Sequence, residues 1–481
     1  MSSKLIGRDE EKKILTDLVR SPKAEFLAVY GRRRVGKTYL IKNFFDCTDC
    51  LLFYASGMKG GSLKQQLKNF GKSLESLWMP GLATPNDWLD AFEILTRLIE
   101  KFSSGKKVVI FLDELPWLVT PKSKCLAAID YYWNKHWSHN SKVILAVCGS
   151  SASWIIKNII NNKGGLYNRV TRKIHLQPFS LKETKQFLQV FGCNFTNRHI
   201  LEIYMATGGV PYYLAQIRNG LSASQNIDHL AFSLQGTLFQ DFDILFSSLF
   251  DDANDYVQIV KTVARHQYGI LQESLLRECG IPSGGYAVDK LKDLEQAGFL
   301  MSFRSCDNKR KGVFYRLIDE YSNFYLKWID PLKTSIQQNA KMSWEQIRAS
   351  QSWKSWASYH FETICFKHIN QIKTALQLDN STLVKTWSSR GSKTEKGAQI
   401  DLLFDRNDDA ITICEIKYTD RPFKIDKSYY QSLQDKINVF RKATKTKKQI
   451  FLTFIASSGL KNSIYTEDGI ASIVQLDDLF M

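Results

Sequence analysis

Short, continuous apolar runs punctuate the first 180 positions. Phe26-Leu27-Ala28-Val29-Tyr30, Lys107-Val108-Val109-Ile110-Phe111-Leu112, Val143-Ile144-Leu145-Ala146-Val147-Cys148 and Lys173-Ile174-His175-Leu176 lack polar alternation. Runs of that length without alternation predict strands buried on both faces. Thr38 to Phe45 has helical spacing, so strands alternate with helices. From Phe179 the period becomes helical, over Phe179 to Phe191 and Asn197 to Ala206, and then breaks at the turn Thr207-Gly208-Gly209-Val210-Pro211.

Further along, Tyr256 to His266, Gln272 to Cys279 and Gly285 to Ala297 predict three helices, followed by a hairpin over Phe299 to Leu317. This is a winged-helix layout. Val288, Leu291 and Leu294 are expected on its core face. The hairpin tip, Asn308-Lys309-Arg310-Lys311-Gly312, is basic and suits phosphate contact, although such domains also serve as packing modules. An aromatic helix follows at Asp319 to Ile329, read as packing. Residues 331–350 lose apolar periodicity and read as a linker. A helix beginning near Ser352 then carries Trp356, Tyr359, Phe361 and Phe366.

The expected fold class is therefore α/β multidomain. The expected boundaries are 1–176 for the α/β core, 177–250 for a helical lid, 251–333 for the winged-helix domain, 334–350 for the linker and 351–481 for a second α/β domain. A chain of 481 residues has room for that number of units.

Charge adds a direction. Lys and Arg number 65 against 48 Asp and Glu, a formal +17, which favours a polyanionic partner such as DNA. The nine cysteines read as free thiols, with Cys47-Thr48-Asp49-Cys50 a turn before the next strand because a structural zinc needs four ligands. No run approaches the ~18 apolar residues of a membrane span, and Met1-Ser2-Ser3-Lys4-Leu5 lacks a signal-peptide core. A cytoplasmic protein with no membrane partner is expected.

The first strand runs straight into Gly31-Arg32-Arg33-Arg34-Val35-Gly36-Lys37-Thr38 and then a helix. That context marks a phosphate-binding loop. Gly31 and Gly36 let backbone N–H groups turn toward phosphates at a helix N-terminus. Lys37 is expected on the β- and γ-phosphates of ATP, Thr38 on Mg²⁺ and Arg34 among the nucleotide contacts. Asp113 and Glu114 end the second run, where Asp113 would hold Mg²⁺ and Glu114 would polarise the attacking water. Ser150, or nearly as well Ser151, follows the third run as a γ-phosphate sensor, with an ordinary turn as the alternative. Arg169, in Leu166-Tyr167-Asn168-Arg169, suits a finger reaching a neighbouring subunit, or a plain surface charge.

The order Gly7-Arg8-Asp9-Glu10, triple-arginine loop, Asp113-Glu114, Gly149-Ser150, Leu-Tyr-x-Arg and Gly209-Val210-Pro211 resembles the archaeal-type AAA+ ATPases, relatives of the STAND ATPases, over roughly residues 1–330. The resemblance implies an ATP-binding core with a helical lid, a nucleotide-sensing role for Pro211, a Gly-Arg-Asp-Glu segment flanking the adenine, and a homo-oligomer on ATP binding. Asn168 stands where the family pattern leads us to expect glycine.

The C-terminal segment resembles the restriction-endonuclease-like PD-(D/E)xK superfamily at Glu362, Asp401 and Glu415-Ile416-Lys417. Strand alternation points Glu415 and Lys417 to one face. The resemblance implies that Glu362, Asp401 and Glu415 hold Mg²⁺, or Mn²⁺, and that Lys417 orients or deprotonates a water. Gln431 and Gln434, on the helix expected after that strand, are candidate additions to the site, and Lys442 to Lys448 suit phosphate contact or a solvated loop. Two functional classes follow. One is an ATP-regulated DNA endonuclease, in defence or mobile-element biology. The other is a STAND-like ATPase switch, answering an unknown protein trigger, whose C-terminal domain only docks nucleic acid or protein.

Overall fold

The computed structural model describes residues 5–162, 164–250, 252–304, 312–338, 343–389 and 397–481. Five strands, β1 (Glu25–Tyr30), β2 (Leu51–Ser56), β3 (Val108–Asp113), β4 (Val143–Cys148) and β5 (Arg172–His175), form a parallel sheet in the order β2-β3-β4-β1-β5. Alternate residues of each strand feed opposite cores. Phe26 and Ala28 pack beneath the helices Leu63–Leu77, Trp88–Phe102 and Cys125–Lys135, whereas Leu27 and Val29 pack on Asp9–Arg20 and Lys37–Phe45. Burial on both faces is why these strands read as unbroken apolar runs. The strand order carries the function, because β1, β3 and β4 are neighbours and their C-terminal ends open on one edge.

The segment expected as a helical lid comprises Leu181–Val190, Asn197–Thr207, Pro211–Leu214, Ala223–Ala231 and Thr237–Leu249. Ser180, Thr196 and Ser222 cap the first, second and fourth helices through their side-chain oxygens. Next come Ala253–Ala264, Gln272–Cys279 and Gly285–Gln296, with an antiparallel sheet of β6 (Ile270–Leu271), β7 (Leu300–Arg304) and β8 (Val313–Leu317) ordered β6-β8-β7. Val288 does not join the core; it is 48% exposed, and Ala287, Lys290, Leu291 and Leu294 are buried instead. Steps of three residues fall ~60° short of a full turn, so Val288 lies ~120° round the helix from Leu294. The basic tip at residues 308–311 lies outside the described residues.

The polar stretch read as a linker is packed structure. Helices Lys333–Gln337 and Trp344–Ala349 occupy it, and Trp344 is fully buried against Phe232, Phe324 and Trp353. Ile336 and Trp344, widely spaced among mostly polar residues, anchor the segment in the core, which a periodicity argument cannot register.

The C-terminal domain starts with helix Gln351–Lys367 and Ile369–Ala375. Its sheet runs β13-β12-β11-β10-β9, built from β9 (Leu383–Ser389), β10 (Ala398–Asp405), β11 (Ala410–Lys417), β12 (Gln449–Ala456) and β13 (Ser472–Gln475). β9, β10 and β11 are antiparallel neighbours, while β12 and β13 run parallel to β11. Helix Lys427–Thr444 connects β11 to β12 and packs on one face through Leu433, Ile437 and Phe440. Helix Gln351–Lys367 takes the other face, where Phe361 and Ile364 share a core with Leu402, Phe404, Cys414 and Ile416. That core is continuous with the lid's. Among the described residues no helix is long and apolar enough to cross a membrane.

Candidate functional site

The loop after β1 is pressed against the end of β5. Gly31 has φ 141°, and a Cβ there would sit 2.2 Å from the Leu176 carbonyl oxygen. Lys37 Nζ donates to the carbonyls of Gly31 (3.0 Å) and Arg32 (2.9 Å), and burial pulls its ammonium pKa down. The Thr38 hydroxyl donates to Asp113 Oδ2 at 2.8 Å. Asp113 Oδ1 accepts the Cys148 thiol (2.6 Å) and the Glu114 N–H (2.9 Å), while Tyr54 donates to Oδ2 at 3.2 Å. Burial and the Asp113 charge push the Tyr54 phenol up to about 12. Glu114 itself adopts φ 45°, and its Oε2 accepts both the N–H and the hydroxyl of Ser150 at 2.9 Å. Ser150 therefore holds Glu114 here, a role its position after a strand did not disclose.

The loop's arginines reach across to other parts of the chain. Arg32 forms a buried ion pair with Asp319, and Arg34 pairs with Asp241 at 2.5 Å beneath the ring of Tyr212 (4.0 Å). The Tyr213 hydroxyl donates to the same Asp241 carboxylate at 2.5 Å. The turn at Gly208-Gly209-Val210-Pro211 delivers these tyrosines. Gly209 has φ 67°, with the Phe179 carbonyl oxygen 2.3 Å from where a Cβ would lie, and Pro211 opens the short helix that carries Tyr212 and Tyr213. Arg8 donates to the carbonyls of Gln177 (2.7 Å) and Val35 (3.1 Å), joining the loop to the lid entrance. Among the described residues, the buried donors Arg32 Nε, Arg32 Nη2 and Arg33 Nη1 have no hydrogen-bond partner, and the Arg32 guanidinium packs over the rings of Phe299 and Tyr321.

Arg169 lies apart from these groups, exposed in a turn where its N–H donates to Leu166 O (3.1 Å). Asn168 has φ 54°, the left-handed conformation that asparagine adopts more readily than most residues, which explains its presence in place of glycine.

In the C-terminal domain the β10–β11 ladder ends with Leu402 opposite Cys414, bringing Asp401 and Glu415 to adjacent positions. β10 also shifts register against β9 between Ile400 and Leu403, bracketing Asp401. The Ile416 N–H donates to Asp401 Oδ2 at 3.4 Å. Glu415 Oε1 accepts Lys417 (2.9 Å) and the Tyr429 hydroxyl (2.7 Å), and Oε2 accepts Lys436 (2.6 Å). Burial pushes the Glu415 carboxyl up, but the two ammonium groups outweigh it and hold it below its ordinary range. Burial and then the neighbouring Glu415 raise Asp401, while burial and then Asp401 push Glu362 up to about 7. Glu362 thus feels the charges of Asp401, Glu415 and Lys417 across three separate elements.

Tyr429 and Lys436 were not singled out from sequence. They are seven residues apart on helix Lys427–Thr444, hence on one face, and the spacing from Tyr429 would have found Lys436. Gln431 turns outward instead, donating to Asp435 at 3.3 Å. Among the described residues no three metal-ligating side chains converge as a ready-made cation site. Mg²⁺, however, is commonly held by one or two carboxylates with retained waters. Adjacent Asp401 and Glu415 supply such donors, and burial first, then a neighbouring carboxylate, raises Asp401 and Glu362.

Residues 5–217 match a family described as an ATPase domain predominantly from Archaea, and residues 325–431 match one described as archaeal and bacterial proteins of unknown function. An uncharacterized protein of Methanocaldococcus jannaschii is 25% identical over 439 residues, spanning 90% of this chain and 91% of that protein. Among solved structures, the Walker-type ATPase PABY2304 of Pyrococcus abyssi aligns with TM-score 0.49 and 17% identity, covering 67% of this chain and 96% of that one. The Aeropyrum pernix ORC2 protein aligns with TM-score 0.44 and 15% identity, covering 70% and 96%. The N-terminal segment is a P-loop ATPase domain of the archaeal type.

Proposed function

We propose that this ATPase domain controls a metal-dependent DNA endonuclease formed by residues 351–481. The observation that carries the reading is the placement of Asp401 and Glu415 side by side on neighbouring strands, with Lys417 on Glu415 at 2.9 Å and Glu362 on the facing helix near enough for Asp401 to raise it. At the nucleotide site, Lys37 and Arg34 meet the phosphates, and Gly31 and Gly36 shape the loop. Thr38 and Asp113 hold Mg²⁺, and Glu114, held by Ser150, polarises the attacking water. Pro211 sets the lid turn toward the nucleotide. Arg169, exposed and apart, completes the site of a neighbouring copy in an ATP-dependent homo-oligomer.

In the C-terminal domain Asp401 and Glu415, with Glu362, hold Mg²⁺ or Mn²⁺. A divalent ion held there would supply Lewis acidity, lowering the pKa of a water and offsetting charge on the leaving oxygen. Lys417 positions that water, and Tyr429 and Lys436 orient Glu415. The three helices and small sheet of residues 253–317 act as a winged-helix domain, and the basic surplus serves DNA contact in the cytoplasm.

One observation favours a second reading, a docking module without cleavage. Both Glu415 oxygens are already engaged, by Lys417, Tyr429 and Lys436, so that carboxylate is neutralised without a metal. Incubating the purified chain with Mg²⁺ or Mn²⁺ and several DNA forms, with and without ATP, separates the two. The nuclease reading expects cleavage that Asp401→Ala and Lys417→Ala abolish while ATP hydrolysis persists. No cleavage of any DNA or RNA form would leave the docking reading.

A further inference from the structure

A groove of about 620 Å³ lies between helix Ala253–Ala264, strand β8 and helix Gln351–Lys367, away from the phosphate loop. Its lining includes Lys261, Arg265, Arg316 and Lys327, against one carboxylate, Asp330. Lys261 takes that carboxylate at 3.3 Å. Among the described residues, no acid lies within ion-pair distance of Arg265, Arg316 or Lys327. Arg316 also feels the Glu362 carboxylate, but the cations around this one space outnumber these two acids, and such a surplus attracts and concentrates an anion.

The opposite wall is aromatic. Trp356 and His360 both line the groove, their ring centroids 3.9 Å apart. Their planes are tilted by 38°, so they offer an aromatic edge to a planar heterocycle. His360 is only 3% exposed, and its Nδ1 has no hydrogen-bond partner. Arg316 Nε is likewise buried without one, although its Nη2 donates to the Thr363 hydroxyl at 2.5 Å. Buried polar groups are nearly always satisfied, by protein, water or a ligand.

We propose that this groove binds a nucleoside phosphate. Arg265, Arg316 and Lys327 receive its phosphate, and Trp356 and His360 receive its base, with His360 Nδ1 available to a ring atom. The volume falls in the range of small-ligand pockets. A nucleic-acid strand needs a track of charge and stacking, whereas these cations surround a single space. Arg316 also holds Thr363, the neighbour of Glu362, so occupancy reaches the C-terminal site through one side chain. The ligand claim stands whether or not that site cuts DNA.

The test uses full-length protein carrying Lys37→Ala, so that the phosphate loop does not contribute. AMP, GMP, CMP and UMP, inorganic pyrophosphate and an oligothymidylate are titrated in turn while tryptophan fluorescence is followed. At least one mononucleotide should quench saturably and bind more tightly than pyrophosphate. The double variant Arg265→Glu, Lys327→Glu should weaken that binding at least tenfold. Both positions are exposed, so folding is retained, which ATP hydrolysis in the Lys37-intact background verifies. Saturable binding by none of the four, undiminished binding in the double variant, or binding of the oligonucleotide alone would overturn the proposal.

Discussion

Ser150 grips Glu114 twice, through its N–H and its hydroxyl, each at 2.9 Å. The carboxylate expected to polarise water is thus held at the end of the neighbouring strand before any nucleotide acts on it. Ser150→Ala keeps the backbone bond and removes the other. Hydrolysis should slow about tenfold, the ~1.4 kcal/mol of one hydrogen bond to a charged group, with ATP affinity nearly unchanged. Glu114→Gln should cost ~100-fold or more and trap bound ATP, and Lys37→Ala should abolish turnover. Single-turnover hydrolysis beside equilibrium binding checks all three, and a Ser150→Ala enzyme at wild-type rate would remove the hydroxyl's role.

Asp241 holds Arg34, the residue proposed to meet the nucleotide phosphates. The pair is largely buried, 18% and 3% exposed on its two sides. Asp241→Asn retains an acceptor for Tyr213 but frees the guanidinium. ATP affinity should rise several-fold while thermal stability falls, because a buried cation loses its partner. Calorimetric titration and melting curves should therefore move in opposite directions. Unchanged affinity would mean that Arg34 does not reach the nucleotide.

Arg169→Ala should lower ATPase activity with ATP binding intact, since the side chain is exposed and distant from its own chain's loop. Mixing it with Lys37→Ala protein should restore activity at mixed interfaces. Full activity in a strictly monomeric protein would leave Arg169 a surface charge.

His368 makes stability depend on pH. Its Nε2 accepts the Leu181 N–H at 3.1 Å, and its Nδ1–H donates to Ile364 O at 2.8 Å, so the neutral ring joins the C-terminal domain to the first lid helix. Burial lowers its pKa below the usual 6.5. The unfolded chain therefore binds more protons than the folded one just below pH 6.5. The stabilisation is complete above that value and is lost as pH falls toward the folded pKa. His368→Leu should reduce stability at pH 7.5 by ~1–3 kcal/mol, through an unsatisfied N–H, and flatten the fall in melting temperature between pH 7 and 5. An unchanged pH slope would assign the effect to other groups, such as His360, whose pKa burial also lowers.

The phosphate loop, Asp113 and Glu114 were legible in sequence because each follows immediately on a buried strand, where neighbouring residues fix position. The partners of the loop's arginines were not. Asp319 lies 287 positions from Arg32, and nothing local in Leu317-Ile318-Asp319-Glu320 marks it as an ion-pair partner. Cys148 looked like a core thiol and is one, yet it also donates to Asp113. Trp344 shows the converse failure, in which that ring and Ile336, both buried, override the polar composition around them. Val288 was misplaced by arithmetic alone, since the core stripe of its helix follows 3.6 residues rather than 3.

The short helical turn Leu476–Phe480 packs against the lid helices Leu181–Val190 and Asn197–Thr207, with Asp477 accepting from Asn197 at 2.6 Å and Phe480 beneath Lys185. Synthesis proceeds from the N-terminus, and domains commonly fold as they emerge. Here the five-stranded ATPase sheet can close early, but the lid lacks part of its apolar core until positions 476–480 leave the ribosome. Synthesis from the N-terminus therefore leaves helices Leu181–Val190 and Asn197–Thr207 without part of their apolar packing until then, although these helices precede positions 476–480 by almost three hundred residues.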